Sequence, residues 1–359
     1  MFKSIIRPAL FRLSKDDPER AHHLIMGPLA LASRFAPLLR MIDALNAYHD
    51  PRLAREVFGV QFPNPVGLAG GFDKNGRALP ALAALGFGFI EAGGVTRHAQ
   101  PGQARPRIFR LAADEALINR MGLPNDGADA IATRLATLPK PAIPIGWQLA
   151  KSKVTPLAEA TDDYLYSLRK LYPYGDYFTI NVSSPNTPDL VRLQERAPLT
   201  ELLTAVVNET RQLAGADHLP KAVLVKISPD LTWQAIDDIV EVALATGARG
   251  IIATNTTITR DGLQAPSQEI GGLSGRPLAA RSLAVVRHLC QQLQGRLPVI
   301  GVGGIFDADD ARRMLDAGAA LIQIYTGFIY EGPGIIKRIN RALAASETQL
   351  TSSSSGTSR

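Results

Sequence analysis

The chain has 359 residues, 46% of them hydrophobic and 20% charged, with a formal net charge of +6. That is ample for a large buried core, and although the length alone points to two domains, an α/β barrel of ~250 residues forms only one. A single cysteine, Cys290, excludes an internal disulfide and a cysteine-based zinc site. His22, His23, His49, His98, His218 and His288 show no metal-ligand spacing, so no metal is expected. No apolar run approaches the ~20 residues of a membrane-spanning helix.

The positive charge is concentrated at the N-terminus. Residues 1–40 hold Lys3, Arg7, Arg12, Lys15, Arg20, Arg34 and Arg40 against Asp16, Asp17 and Glu19, leaving the remainder nearly neutral. A nucleic-acid-binding body would need a basic stripe of its own, so nucleic acid is not an expected partner. Phe2, Ile5, Ile6, Ala9, Leu10 and Leu13 recur at helical spacing with the basic residues off that face. Asp17-Pro18-Glu19 then reads as the cap, first-turn proline and acidic first turn of a second helix, which carries Leu24 and Ile25 and which Pro28 is expected to interrupt. A further apolar stretch runs through Leu29, Leu31, Phe35, Leu38 and Leu39. Arg7 and Pro8 break the first apolar run and no small-residue cleavage site follows, which argues against a secretory signal. Two readings stay open on these residues: a helical cap on the main body, or an interfacial helix pair lying on an anionic membrane.

From residue 53 the pattern alternates. Strands are expected at Pro65–Ala69, Phe87–Ala92, Ile143–Leu149, Tyr177–Val182, Ala222–Ile227, Gly250–Thr254, Pro298–Val302 and Leu321–Tyr325. Helical patterns separate them, as at Thr232–Ala245, Leu278–Leu293 and Ala308–Ala317. Continuous apolar strands alternating with helices indicate a parallel sheet buried on both faces. The strand count closes a (β/α)8 TIM barrel; an open doubly wound sheet is the alternative, disfavoured because no strand is followed by G-x-G-x-x-G or a P-loop. Residues 107–119 read as a hairpin inserted after the second strand, and 271–277 as the loop after the sixth. Residues 346–359 end in a Ser/Thr-rich run too polar to pack, and are expected to be a disordered tail.

Barrel chemistry sits at the C-terminal ends of the strands. In order, those ends read Ala69-Gly-Gly-Phe-Asp-Lys74, Gly93-Gly-Val-Thr96, Gln148-Leu-Ala-Lys151, Asn181-Val-Ser-Ser-Pro-Asn-Thr-Pro188, Lys226, Thr254-Asn-Thr-Thr257, Gly303-Gly304 and Tyr325-Thr-Gly327. Any one of them is an ordinary turn, cap or surface lysine; all together they describe a polar ring around a pocket. Gly303-Gly304 and Tyr325-Thr326-Gly327 follow the last two strands, where barrels commonly bind phosphate through backbone N–H groups. A phosphate there without a dinucleotide fingerprint implies a mononucleotide-type cofactor. Lys74 and Lys226 suit two separate anionic groups, and Asn119, Asn181, Asn186 and Asn255 suit a planar, amide-rich substrate. With no acid/base carboxylate pair and no Ser-His-Asp arrangement, redox chemistry on a bound cofactor fits this inventory. A barrel lyase or isomerase using Lys74 or Lys226 as a Schiff base is the alternative from another class.

The segments Gly71-Phe-Asp-Lys74, Asn119-Arg-Met-Gly122, Asn181-Val-Ser-Ser-Pro-Asn-Thr187, Ala253-Thr-Asn-Thr-Thr257, Gly272-Leu-Ser-Gly-Arg-Pro277 and Gly301-Val-Gly-Gly-Ile305 together resemble the dihydroorotate dehydrogenases, in particular the membrane-associated, quinone-reducing class 2. The resemblance runs from about residue 1 to about 345. It implies oxidation of dihydroorotate to orotate with bound FMN and transfer of electrons to a membrane quinone, in pyrimidine biosynthesis. The same chemistry with a soluble acceptor is the nearest variant. By position, Ser184 resembles the catalytic base that removes the C5 proton, with Thr187 in its proton relay. Lys74, Asn119, Arg120, Met121, Gly122, Leu123, Asn181, Asn186, Asn255 and Thr256 match substrate-binding positions. Gly70, Gly71, Phe72, Asp73, Lys74, Gly94, Gln148, Asn181, Lys226, Thr254, Gly275, Gly304, Tyr325 and Thr326 match FMN-binding positions, Lys226 beside the flavin ring. The resemblance also implies that residues 1–45 form a helical segment at the mouth of a quinone tunnel, with residues 1–40 meeting the membrane surface, while residues 53–345 form the FMN-binding barrel. The protein would then be peripheral on the cytoplasmic side of the cell membrane. Three positions depart from the family pattern: Gly94 where a hydroxyl residue is common, Gln148 where Asn is common, and Leu123 where Phe is common.

Overall fold

The computed structural model describes residues 2–187 and 190–355. Eight parallel strands close into a barrel: β1 (Val66–Leu68), β2 (Phe89–Val95), β3 (Ile145–Leu149), β4 (Tyr177–Asn181), β5 (Ala222–Ile227), β6 (Gly250–Ala253), β7 (Val299–Val302) and β8 (Leu321–Ile324). All eight expected strands are present within three residues, and the open-sheet alternative falls because β8 pairs with β1. Most of their side chains are fully buried, which is why they read as mostly apolar runs. Helices Trp233–Thr246, Ala279–Leu293 and Ala308–Asp316 lie close to their expected bounds.

Two clusters make up the core. The larger one lies between strands and outer helices, joining Ile90, Trp147, Phe178 and Ile322 to Leu168, Leu203, Ile239 and Val286. The smaller one fills the lower barrel with Phe89, Tyr177, Leu224, Ile252, Ile300 and Leu321. It is capped from below by Phe62, which stands edge-on to Phe89 with ring centroids 5.2 Å apart. Phe62 belongs to a short hairpin, Arg55–Val57 and Val60–Phe62, turned by Phe58 (φ 43°) and Gly59 (φ 82°). With the bottom plugged by aromatic rings, only the upper, C-terminal end of the barrel is left for a ligand.

The inserted hairpin is present as Ile108–Leu111 and Ala116–Asn119. It gains a third strand, Gly272–Gly275, which pairs antiparallel with it through Gly272 opposite Asn119. The loop expected at 271–277 is thus partly a strand. Its partner lies some 150 residues away in sequence, so no local signal marks it.

Three helices precede the barrel: α1 (Arg7–Leu13), α2 (Pro18–Ala32) and α3 (Ala36–Asn46). Asp17 caps α2 as expected, accepting from the N–H groups of Glu19 (2.9 Å) and Arg20 (3.2 Å). Pro28 does not interrupt α2, which continues to Ala32. An interior proline costs about 3 kcal/mol, and the burial of Ala21, Met26 and Ala32 against the barrel side offsets it. Glu19 anchors the segment: Arg107 donates to its carboxylate at 2.6 and 3.0 Å and Arg105 at 3.0 Å. At the other end, the final helix runs Gly334–Ser355, past the point where a disordered tail was expected to begin. A helix already nucleated by packed turns adds residues at little cost even where they are polar. Residues 356–359 lie outside the described residues.

Candidate active site

The upper barrel interior is polar. Glu91 on β2 is fully buried and accepts four hydrogen bonds, from Gln148 Nε2 (2.6 Å), Lys226 Nζ (3.0 Å), Thr179 Oγ1 (3.0 Å) and Gln323 Nε2 (3.1 Å). Above it the amides form a chain. Asn181 Nδ2 donates to Gln148 Oε1 at 2.9 Å, and Ser183 donates to Asn181 Oδ1 through both its N–H and its hydroxyl at 3.2 Å. Asn255 Nδ2 donates to Ser183 Oγ at 3.0 Å, and the Thr256 N–H donates to Asn255 Oδ1 at 2.8 Å. Strand register makes this possible, setting Asn181 opposite Lys226 and Gly93 opposite Gln148. On the far side of the pocket mouth, Asn186 Nδ2 donates to the backbone oxygen of Asn119 at 3.1 Å. The four asparagines expected to meet one substrate thus form two linked pairs, Asn181 with Asn255 and Asn119 with Asn186.

Ser184 and Thr187 lie on the loop after β4, and both are buried. Among the described residues no hydrogen bond joins them to each other, and the loop continues into residues 188–189, outside the described set. Lys74 Nζ donates to the Gly71 oxygen at 2.6 Å, and burial, aided by Arg107, pulls its pKa down to about 8 despite Glu19 and Asp73. An ammonium held in so dry a place gains much from an arriving anion.

The glycine cradle is also in place. Gly71 (φ 98°) donates to the Gly93 oxygen at 2.6 Å and accepts from Tyr325 Oη at 3.3 Å. Gly275 has φ 106° and Gly304 φ 69°, and a Cβ on Gly304 would collide with Ala279. Thr326 Oγ1 lies 2.8 Å from Ser274 Oγ. Among the described residues, Thr254 Oγ1 is buried just past β6 with no hydrogen-bond partner. An orphaned buried hydroxyl calls for a polar ligand.

Two expected residues do not converge on this pocket with their side chains. Arg120 follows inward-facing Asn119 and so points outward, its guanidinium 4.4 Å from the Phe109 ring centroid and 2.8 Å from Glu269. Asp73 turns back on its own loop, accepting from the N–H groups of Arg77 (3.0 Å) and Ala78 (2.7 Å). Met121 and Gly122 enter through the backbone, their oxygens bonded by Gln103 and Gln100. Phe72 packs edge-on against His22 of α2 at 4.9 Å and against Tyr325 at 5.6 Å, connecting the cradle to the N-terminal helices.

The three departures prove to be neighbours. A Cβ on Gly94 would stand 3.1 Å from Leu123 Cδ2 and 3.4 Å from Gln148 Oε1. Gln148 and Leu123, itself at φ 53°, would have to give way by a few tenths of an ångström to a side chain at 94. They are one packing solution rather than three losses.

Neither Glu91 nor Glu19 is singled out from the sequence for a functional role, yet their buried ion pairs hold the barrel interior and the N-terminal segment. Glu91 did leave a signal, a lone carboxylate inside an apolar strand run, because an unpaired charge is almost never fully buried.

The dihydroorotate dehydrogenase family profile matches residues 52–346. The chain belongs to the dihydroorotate dehydrogenase family. It is 54% identical over 343 residues to the dihydroorotate dehydrogenase (quinone) of Chloroflexus aurantiacus, covering 94% of each chain. It is 52% identical over 340 residues to the dihydroorotate dehydrogenase (quinone) of Gloeobacter violaceus, covering 95% of this chain and 93% of that one. Among solved structures, the Eimeria tenella enzyme in complex with ferulenol superposes with a TM-score of 0.83 at 35% identity, covering 96% of each chain.

Proposed function

We infer that this protein oxidises dihydroorotate to orotate in pyrimidine biosynthesis and passes the electrons through FMN to a membrane quinone. The hydrogen-bonded chain from Gln148 through Asn181 and Ser183 to Asn255 carries this reading, because it links cofactor and substrate positions in one rigid network. The cradle fits FMN: Thr254 offers an unused hydroxyl, Gly304 and Tyr325-Thr326 lie where barrels hold phosphate, and Glu91, which Lys226 pairs with, stands against Gly70. When bound there, FMN supplies the two-electron acceptor for hydride from C6 of the substrate.

The protein's own residues do the rest. Lys74 binds the substrate carboxylate, and the Asn119/Asn186 and Asn181/Asn255 pairs hold its imide edge and fix its plane. Ser184 takes the C5 proton. A serine is a weak base, so its burial and the surrounding amides must present it at the right atom while Thr187 leads the proton outward. Burial holds His22 near pKa 3, helped by Lys74 and His23, so its ring is neutral where it meets Phe72.

The N-terminal residues support a membrane acceptor. Ile5, Ile6, Leu13, Leu24, Leu31, Phe35, Met41 and Leu45 are exposed on this N-terminal segment. A cleft of about 690 Å³, lined by Phe11, Arg107, Phe109 and Arg110, opens between α1 and the hairpin. No described helix is long and apolar enough to cross a membrane. Residues 1–45 therefore act as an interfacial segment that admits quinone, on a protein peripheral to the cytoplasmic face of the cell membrane. Anaerobic titration of the purified protein with dihydroorotate tests the reading. Bleaching of the flavin band, reversed by a quinone analogue, is expected; a yellow protein that does not bleach refutes the substrate, and a protein that takes up no FMN refutes the cofactor.

A further inference from the structure

Barrel interiors are ordinarily filled by layers of branched apolar side chains. Here β2, β4, β5 and β8 contribute Glu91, Thr179, Lys226 and Gln323 to one layer, and β3 adds Gln148. Four donors aimed at two oxygens are what a carboxylate accepts, not what an acid can satisfy. The Lys226–Glu91 pair is almost wholly shielded, with side-chain exposures of 6% and 0%. Replacing such a pair with uncharged groups is often neutral for stability, so stability alone does not account for a charge here.

The location gives it a use. A Cβ on Gly70 would stand 2.5 Å from Gln148 Nε2 and 2.6 Å from Glu91 Oε1, so the cradle floor rests directly on Gln148 and on the carboxylate that pairs with Lys226. Being acceptor-only, Glu91 also fixes the Gln148 amide: its Nε2 must face the carboxylate, which leaves Oε1 to receive Asn181.

We propose that Glu91 is a positioning residue for the redox reaction: it compensates the charge of Lys226 beneath the cofactor, lowering the reduction potential of bound FMN, and sets the amide direction that runs through Gln148 to Asn181. This rests on the FMN reading above. Two electrons arriving on the cofactor add negative charge, which an uncompensated ammonium favours and a paired one favours less. A cofactor reduced less readily hands its electrons on more readily.

The test is the midpoint potential of bound FMN in Glu91→Gln, Lys226→Gln and the double variant, with FMN affinity measured alongside. Glu91→Gln is expected to bind reduced FMN, relative to oxidised, roughly tenfold more tightly than the parent does, ~30 mV more positive for a two-electron couple. Lys226→Gln shifts the potential negative, and the double variant returns toward the parent. If Glu91→Gln does not fold, the double variant, which buries no charge, still isolates the carboxylate: its potential must exceed that of Lys226→Gln. Equal potentials in those two proteins, with FMN bound, overturn this proposal alone. A parent protein that takes up no FMN overturns the cofactor reading and this proposal with it.

Discussion

Replacing Glu19 with Gln removes the charge that docks the N-terminal helices onto the hairpin. The side chains of Glu19 and Arg107 are only 8% and 5% exposed, and their contact is bidentate at 2.6 and 3.0 Å. Breaking one partner of a buried pair costs about 3–5 kcal/mol because the other charge is left uncompensated. At 1.36 kcal/mol per factor of ten, that lowers the ratio of docked to undocked segment by roughly 10²–10⁴. Arg7 Nη1 to the Tyr330 oxygen at 3.0 Å, the Ala81 N–H to Ser33 Oγ at 3.1 Å and the apolar contacts of α2 remain, so the segment loosens rather than detaches. The barrel keeps its own core, so the two half-reactions should separate: flavin reduction by dihydroorotate survives while quinone turnover falls. Hydrogen exchange over residues 7–46 should accelerate in parallel. The pH dependence has a definite sign. Burial raises the Glu19 pKa but Arg107 and Arg105 outweigh it, leaving it below the usual 4.5. The docking energy is therefore complete above about that value and is lost as pH falls through the lowered one. Unchanged exchange and unchanged quinone turnover in Glu19→Gln would refute this account of the segment.

Further consequences follow from the site. Ser184→Ala should leave FMN bound while slowing anaerobic flavin reduction by about 10²–10⁴, the usual contribution of a proton-transferring group; undiminished reduction removes Ser184 from the mechanism. Lys74, with its pKa at about 8, must be protonated to hold an anion, so orotate affinity should be level below that pH and fall up to about tenfold per unit above it. A spectral titration between neutral and alkaline pH reads this directly, and a flat profile would clear Lys74 of the role. Gly94→Thr should destabilise the protein by about 1–3 kcal/mol through overpacking against Leu123 and Gln148. Adding Gln148→Asn should recover part of the loss in thermal melting, and additive effects would show that the positions are not coupled.

Much of the architecture was open to reading because it is local. Each strand is buried on both faces and so reads as a mostly apolar run, and several helices carry their own periodicity and caps, as at Asp17 and Thr232. The polar signatures at strand ends were legible for the same reason, since loop residues beside a pocket need not be apolar. What failed were inferences whose decisive partner is remote. Gly272–Gly275 became a strand because the hairpin edge offered a partner, and Pro28 stays inside α2 because the barrel holds that helix. Arg120 and Asp73 look like pocket residues by sequence neighbourhood, yet side-chain direction and a local turn take them elsewhere.

The sequence by itself determined the barrel, the ring of polar strand ends and the cationic, amphipathic character of the first 40 residues, because periodicity, caps and composition are properties of neighbouring residues. Only the tertiary structure decided that Glu91 meets Lys226, that Glu19 meets Arg107, and that Gly94, Leu123 and Gln148 share one space. Those pairings join residues from 25 to 135 positions apart. A buried charge must find its partner wherever the closed barrel brings one, and no local pattern specifies which.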